Sequence, residues 1–376
     1  MGRLRSAVDR LTDWQYVLLA LAATRIGLMA VAVIAAAVLH GPNRHLELLP
    51  DLPLLEMWAQ WDAEHYVSIA IHSYSFEPGQ LSNVPFFPLY PLLIRLVAAP
   101  FGPITDQGAA LVGILIANVS LFVALLYLAA LVTRDVSLSV ARRAVVYVLV
   151  LPTTLFLSSV YAESLFLATA AACLFHARRG EWYRAGIAGG LAALTRPFGF
   201  LLVVPLAIEL WRQRPALRAW PSIALVPAGI AIYFAYLWVE FGDPLAYFHS
   251  GEPWGRGFHL PWETLLSYIR GPLVMFDWPY AWLDLLSVAA MVTILVVGWR
   301  RVPLSYSAYA AAGLLFSLST GIAWFSAARH MLALFPLIVM LASFGERRWF
   351  NWLWLALSIF LAIAFMARVA VGYWVA

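Results

Sequence analysis

PFFPLYPLLIRLVAAP, residues 85–100, has the look of a membrane span, and whether it crosses decides the orientation of everything after it. The surrounding chain is 63% hydrophobic and 12% charged, and every one of its 24 basic residues is Arg. Those arginines cluster between apolar runs: Arg3, Arg5 and Arg10; Arg134, Arg142 and Arg143; Arg178, Arg179 and Arg184; Arg212, Arg214 and Arg218; Arg300 and Arg301; Arg347 and Arg348. The positive-inside rule puts all six clusters on the cytoplasmic side, so an even number of crossings separates each from the next. A crossing at 85–100 would carry the Arg134 cluster outside. Pro85, Pro88 and Pro91 break the start of the stretch and Arg95 interrupts it, so it reads as a short helix at about 86–99 lying on the outer interface.

The class follows from the bulk numbers. Mean hydropathy is +0.81, and apolar runs recur from Tyr16 to Trp374. Most are long enough, or nearly so, for a hydrocarbon core that takes about 20 helical residues to cross. The expected fold is all-α, a polytopic membrane protein forming a single integral domain over 1–376, because a helix satisfies its own backbone polar groups in lipid. The alternating short segments of a β-barrel are not seen. The start, MGRLRSAVDR, resembles the basic region of a signal peptide, but the run at 16–39 is too long for one and reads as an uncleaved first span. One cysteine, Cys173, excludes a disulfide within the chain. The pI near 9.2 reflects the loop arginines and is no sign of nucleic acid.

Counting crossings between clusters gives about eleven, with a cytoplasmic N-terminus in the plasma membrane. Spans are expected at about 16–39, 108–132, 220–240, 282–298, 303–321, 324–344 and 350–372. A first external loop covers 40–107, with interfacial helices at about 58–72 and 86–99, and a second covers 241–281. Between Arg143 and Arg178, and between Arg184 and Arg212, there is room only for short hairpins. These turn at SSVYAES (158–164) and LTRPFG (194–199). Passes of about 14 residues reach roughly 21 Å, so both tips are expected to stop below the outer surface in a protein-lined cavity.

Charge that survives in such a chain is where chemistry is expected. WDAEHY, residues 61–66, sets Asp62, Glu64 and His65 between two aromatics. On a helix Trp58, Asp62 and Tyr66 share a face, with His65 close by, while Glu64 points away. That suits a single general base with one hydrogen-bonding neighbour, and argues against a paired-carboxylate hydrolase. Glu163 at the first tip is either a cavity residue that orients substrate or part of a helix start. Arg196 at the second tip, and Arg329 and His330 in SAARHMLALFP, are either phosphate ligands or members of internal ion pairs. Arg25, in the first span, suggests structural pairing. FGDPLAYF (241–248) reads as a turn, and Trp254, Trp262, Trp278 and Tyr280 either as an interface belt, the favoured reading, or as a surface that binds sugar by stacking. No Gly-rich phosphate loop, HExxH or nucleotide-binding unit is present, so no cofactor and no metal is expected.

A lone base and phosphate-binding arginines on the outer side suit glycosyl transfer from a lipid phosphate. WDAEHY, FFPLYPLL, SVYAESLF, LTRPFG, FGDPLAYF and ARHMLALFP, in that order, resemble the PIG-V-like mannosyltransferase family, whose eukaryotic members are GPI mannosyltransferase 2. The resemblance implies a GT-C glycosyltransferase with two juxtamembrane helices and an essential acid in its first external loop. It also implies Asp62 as that acid, a polyprenyl-phosphate mannose donor, an inverting mechanism and neither nucleotide nor metal. Eukaryotic members carry a Ser-Asn-Gly run where this chain has Arg196-Pro197-Phe198-Gly199, and the all-Arg, Ala-rich composition looks bacterial. The acceptor therefore does not carry over; a lipid-linked glycan or glycolipid is expected. The competing classes are a lipid or glycan transporter or flippase, which would show an internal repeat not seen here, and a non-catalytic subunit of a glycan assembly complex.

Overall fold

The computed structural model describes residues 13–41, 47–254, 257–274, 279–320 and 326–375. The first arginine cluster and Trp278 lie outside these residues. All regular structure among the described residues is helical. In chain order the main helices are α1 (Asp13–Val38), α2 (Ala63–His72), α3 (Leu89–Ala98), α4 (Asp106–Asp135), α5 (Leu138–Val150), α6 (Glu163–Arg178), α7 (Trp182–Ala193) and α8 (Val203–Gln213). They continue with α9 (Leu225–Phe241), α10 (Pro261–Val274), α11 (Pro279–Gly298), α12 (Leu304–Ser319), α13 (Ala327–Ala333), α14 (Phe335–Phe344) and α15 (Arg348–Ala370).

Among the described residues, four helical stretches are long and apolar enough to cross a membrane: α1, α4, α9 with the 3-10 segment that leads into it from Leu217, and α15. A fifth appears if α13 and α14, bent by 86° at Leu334, are taken as one span. The expected count of about eleven crossings is not confirmed. The two hairpins are made of short passes, as expected, α5, α6, α7 and α8 having 13, 16, 12 and 11 residues, and neither α11 nor α12 is among the helices long and apolar enough to cross. The stretch at 324–344 was expected to be one span. It is broken instead, because Pro336 has no N–H to continue the ladder back from α14 into α13.

The described arginine clusters gather at one end of the bundle. Arg134 donates to the carbonyl of Arg178 at 2.7 Å, and Arg178 grips Asp135 at 2.9 Å and Glu209 at 3.1 Å. Arg212 also reaches Glu209, Ser305 donates to it at 2.7 Å, and Tyr306 donates to Asp135 at 2.7 Å. Arg143 donates to the carbonyl of Ala342, and Arg301 lies over the Phe344 ring. The tips at 158–164 and 194–199 therefore lie at the far ends of α6 and α7 from this layer.

Local sequence explains the joints. Thr105 and Ser137 accept from backbone N–H groups three residues on and cap α4 and α5. The Ala- and Gly-rich α7 packs tightly on α9: a Cβ on Gly229 would sit 2.2 Å from the Gly190 carbonyl oxygen, which is how small residues bring helices together in membranes. The stretch at 85–100 forms α3, packed against α2 and α4. Arg95, which seemed to interrupt it, donates from Nε to Ala70 O at 2.6 Å and from Nη2 to Ile69 O, Ile71 O and Ser73 Oγ. It satisfies the orphan carbonyls at the end of α2 and locks the two short helices together.

Candidate functional site

The helix expected over 58–72 begins only at Ala63. Trp61 takes a left-handed backbone (φ 62°), which no residue inside an α-helix can have, so the shared helical face of Trp58, Asp62 and Tyr66 does not form. What holds the segment is the SVYAES tip. Val160 N donates to Trp58 O at 2.8 Å. The Tyr161 hydroxyl donates to Gln60 O at 3.1 Å and accepts from Asp62 N at 3.1 Å. One phenol thus pins the backbone on both sides of Trp61 and fixes where Asp62 stands.

From there Asp62 Oδ2 lies 3.0 Å from Arg329 Nη1. Arg329 also donates from Nη2 to Glu163 Oε1 at 2.6 Å and from Nε to the same oxygen at 3.2 Å. Arg196 Nη1 forms a short ion pair with that oxygen as well. Asp62, Arg329, Glu163 and Arg196 therefore make one continuous chain of alternating charge, formally neutral. Glu163 stands in the first turn of α6, and Arg196 is the residue before the 3-10 segment that opens α8. The two hairpin tips meet through this pair. Leu89 N donates to Leu194 O at 3.0 Å, which ties the second tip to the start of α3.

Burial separates the two cations. The Arg329 side chain is 9% exposed and Arg196 16%. Arg329 is walled by aromatic faces: its guanidinium carbon lies 4.5 Å from the Phe156 centroid, 4.9 Å from Tyr161 and 5.6 Å from Trp374. Delocalised, weakly hydrated guanidinium tolerates such a cage better than an ammonium would. Arg329 is consumed by protein partners, with its remaining faces covered, whereas among the described residues Arg196 makes one ion pair and keeps donors to spare. The chain that carries Arg329 is itself fixed. Asp284 on α11 accepts from Ala327 N at 2.8 Å, at the first residue of α13.

The other expected site residues are placed as follows. The His65 ring stacks on Phe86 with centroids 4.4 Å apart, and burial pulls its pKa below the ordinary histidine value despite the opposing pull of Asp62 and Glu64. Glu64 is exposed. His330 Nδ1 lies 2.6 Å from Ser317 Oγ, and its ring is tilted against Phe198. Arg25 reaches Thr154 Oγ1 at 3.0 Å and its carbonyl at 3.3 Å, so its neighbour is a neutral residue and not the ion-pair partner expected. Asp243 makes the expected turn, accepting from Leu245 N at 2.8 Å, and lies 2.7 Å from His249. Tyr161, Phe156 and Trp374 were not foreseen. Tyr161 lies inside SSVYAES, but nothing in its spacing shows that its hydroxyl faces residues 60–62.

The family Mannosyltransferase (PIG-V) matches residues 29–210, which hold Asp62, Glu163 and Arg196 but not Arg329. GPI alpha-1,6-mannosyltransferase 2 of Rattus norvegicus is 31% identical over 160 residues, 40% of this chain and 31% of that protein. The Mus musculus protein of the same name is 30% identical over 158 residues, 39% of this chain and 30% of that one. The match thus spans under a third of these relatives' own length. Among solved structures, ArnT from Cupriavidus metallidurans bound to undecaprenyl phosphate superposes with a TM-score of 0.46 at 16% identity, over 86% of this chain and 60% of that one. The Archaeoglobus fulgidus oligosaccharyltransferase gives 0.41 at 13%, over 90% and 53%.

Proposed function

We propose that the chain is a member of the PIG-V mannosyltransferase family, which matches it over residues 29–210, and that it transfers a mannosyl residue from a polyprenyl-phosphate donor to a hydroxyl of a lipid-linked or glycolipid acceptor. The observation that carries this reading is the charge chain from Asp62 to Arg196. It offers a carboxylate held in place by a cation, and beside it a cation with unused donors.

Asp62 is the general base. Arg329 holds its carboxylate in place. The acceptor oxygen attacks the anomeric carbon of the donor from the face opposite the phosphate. Its proton passes to Asp62, the anomeric C–O bond to phosphate breaks, and configuration inverts. Charge grows on the departing phosphate oxygen, and the free N–H groups of Arg196 are the donors that meet it. Glu163 sets the position of both arginines. His65 and His330 flank this centre as substrate contacts.

The membrane placement is part of the same proposal. The arginine layer faces the cytoplasm of a plasma membrane, α2 and α3 lie along the outer interface as in GT-C enzymes, and transfer occurs on the extracytoplasmic side. From Glu163 to Arg178, α6 has 16 residues, or roughly 24 Å at 1.5 Å each, less than a hydrocarbon core of roughly 30 Å. That supports a reaction centre sunk beneath the outer surface, where a lipid phosphate can reach it.

The test is transfer of radiolabelled mannose from polyprenyl-phosphate mannose by purified protein, with Asp62→Asn alongside. Transfer by the wild type and its loss in the variant are expected. Undiminished transfer by the variant removes Asp62 as the base. No transfer from any polyprenyl-phosphate sugar removes the enzyme reading.

A further inference from the structure

Trp61 is the residue the mechanism leaves unused, and it stands at an unusual cost. It is one of four non-glycine residues with positive φ among the described residues, and the bulkiest of them. A left-handed backbone is costly for a side chain of this size and persists only where the surroundings impose it. Here they do: the Tyr161 hydroxyl bonds to Gln60 O before it and to Asp62 N after it. Strain of this kind normally aims a side chain inward or closes a turn with a small residue. Trp61 does neither. Its side chain is 44% exposed, and the neighbour on its edge is Trp374, with centroids 5.4 Å apart at 70°. Trp374 in turn leans on Arg329, the partner of Asp62.

We propose that Trp61, buttressed by Trp374, is the platform on which a pyranose ring of the acceptor stacks while its hydroxyl is presented to Asp62. This rests on the glycosyltransferase reading above and adds the residue that positions the sugar of the acceptor. The apolar C–H face of a pyranose carries partial positive charge. The indole face is rich in electrons and large, and little side-chain entropy is lost in fixing it. Stacking orients a ring without demanding one pattern of hydroxyls, and the residue that supplies the base is the next one in the chain. The donor side is served by Arg196, so the two substrates approach the centre from different walls. An interfacial belt tryptophan would need none of this backbone strain, since anchoring at a membrane surface works from any exposed position.

Trp61→Gly separates the two readings, because glycine adopts φ near +60° freely and relieves the strain. Decyl mannoside serves as the acceptor probe, with melting temperature measured in parallel. A platform residue gives an acceptor KM raised about five- to tenfold, in line with the worth of one aromatic contact. The donor KM stays within about twofold, and the melting temperature is equal or higher. Trp61→Phe keeps part of the stacking face and falls between the two. An unchanged acceptor KM in Trp61→Gly overturns the proposal, and so does a fall in melting temperature with both KM values moving together. Calorimetric binding of decyl mannoside, weakened about five- to tenfold in Trp61→Gly, keeps the platform standing even if the wild type transfers no sugar. Binding as tight in the variant as in the wild type overturns it.

Discussion

Arg329 and Asp62, 267 positions apart, meet at 3.0 Å, and the same guanidinium holds Glu163 at 2.6 Å. One cation therefore sets the geometry of the proposed base and ties it to the hairpin tip that carries the other carboxylate. Asp62→Asn keeps an oxygen for Arg329 to donate to. Its melting temperature is expected to stay close to wild type while the rate of transfer falls about 10²–10⁴-fold, the usual worth of a general base. Paired thermal melts and single-turnover assays check this.

Glu163→Gln should behave in the opposite way. It leaves Arg196 and Arg329 buried without their shared carboxylate, and breaking a buried pair by removing one partner costs about 3–5 kcal/mol. Stability is expected to fall steeply. A double-mutant cycle of Glu163→Gln with Arg196→Gln should show strong coupling, because both changes act on one pair. Additive losses would refute the pairing.

Arg196→Lys retains the charge but loses the fork. The ion pair to Glu163 survives, while the spare guanidinium donors disappear. A raised donor KM with little change in melting temperature is expected, and with it an unchanged acceptor KM. Arg196→Gln should lower the rate as well.

His65 gives a pH signature. Burial lowers its pKa in the folded protein, so folding favours the neutral imidazole. Its contribution to stability is present above the unfolded value of about 6.5 and is lost as the pH falls through that value towards the folded pKa. His65→Phe keeps a ring against Phe86. The variant's melting temperature should decline less than wild type between neutral pH and pH 5.

At the opposite end of the bundle, Glu209→Gln is expected to destabilise the protein while leaving both KM values alone. Glu209 there accepts from Arg178, Arg212, Gln213 and Ser305 and is fully buried. A change in acceptor or donor KM would mean that the two ends are coupled.

The fold was legible where physics acts locally. Arginine spacing marked the junctions of α5 to α8, and the two tips at 158–164 and 194–199 fall where the interval between clusters left too little chain for full crossings. The prolines and Arg95 removed 85–100 from the list of spans, though the role of Arg95 as a cap on α2 depends on a neighbour that only tertiary structure supplies. Asp62 stood out because charge is scarce in this chain. Its partner did not, because a separation of 267 residues leaves no periodicity to read. For Arg196 and Arg329 the sequence allowed a phosphate or an internal carboxylate, and both arginines are found on Glu163. The left-handed turn at Trp61 was out of reach, since nothing in the letters WDAEHY asks for a glycine-like conformation.

The order in which the ion pairs appear along the chain bears on how the protein is made. Synthesis runs from the N-terminus, so Glu163 enters the bilayer before either of its partners exists. Arg196 emerges 33 residues later, close enough to neutralise it while α6 and α7 are still being threaded, and Arg329 follows only after another 133. Arg196 is thus the early escort of a carboxylate that would otherwise sit alone in lipid. The proposed reaction centre stays without Arg329, the partner of Asp62, until α13 has been inserted.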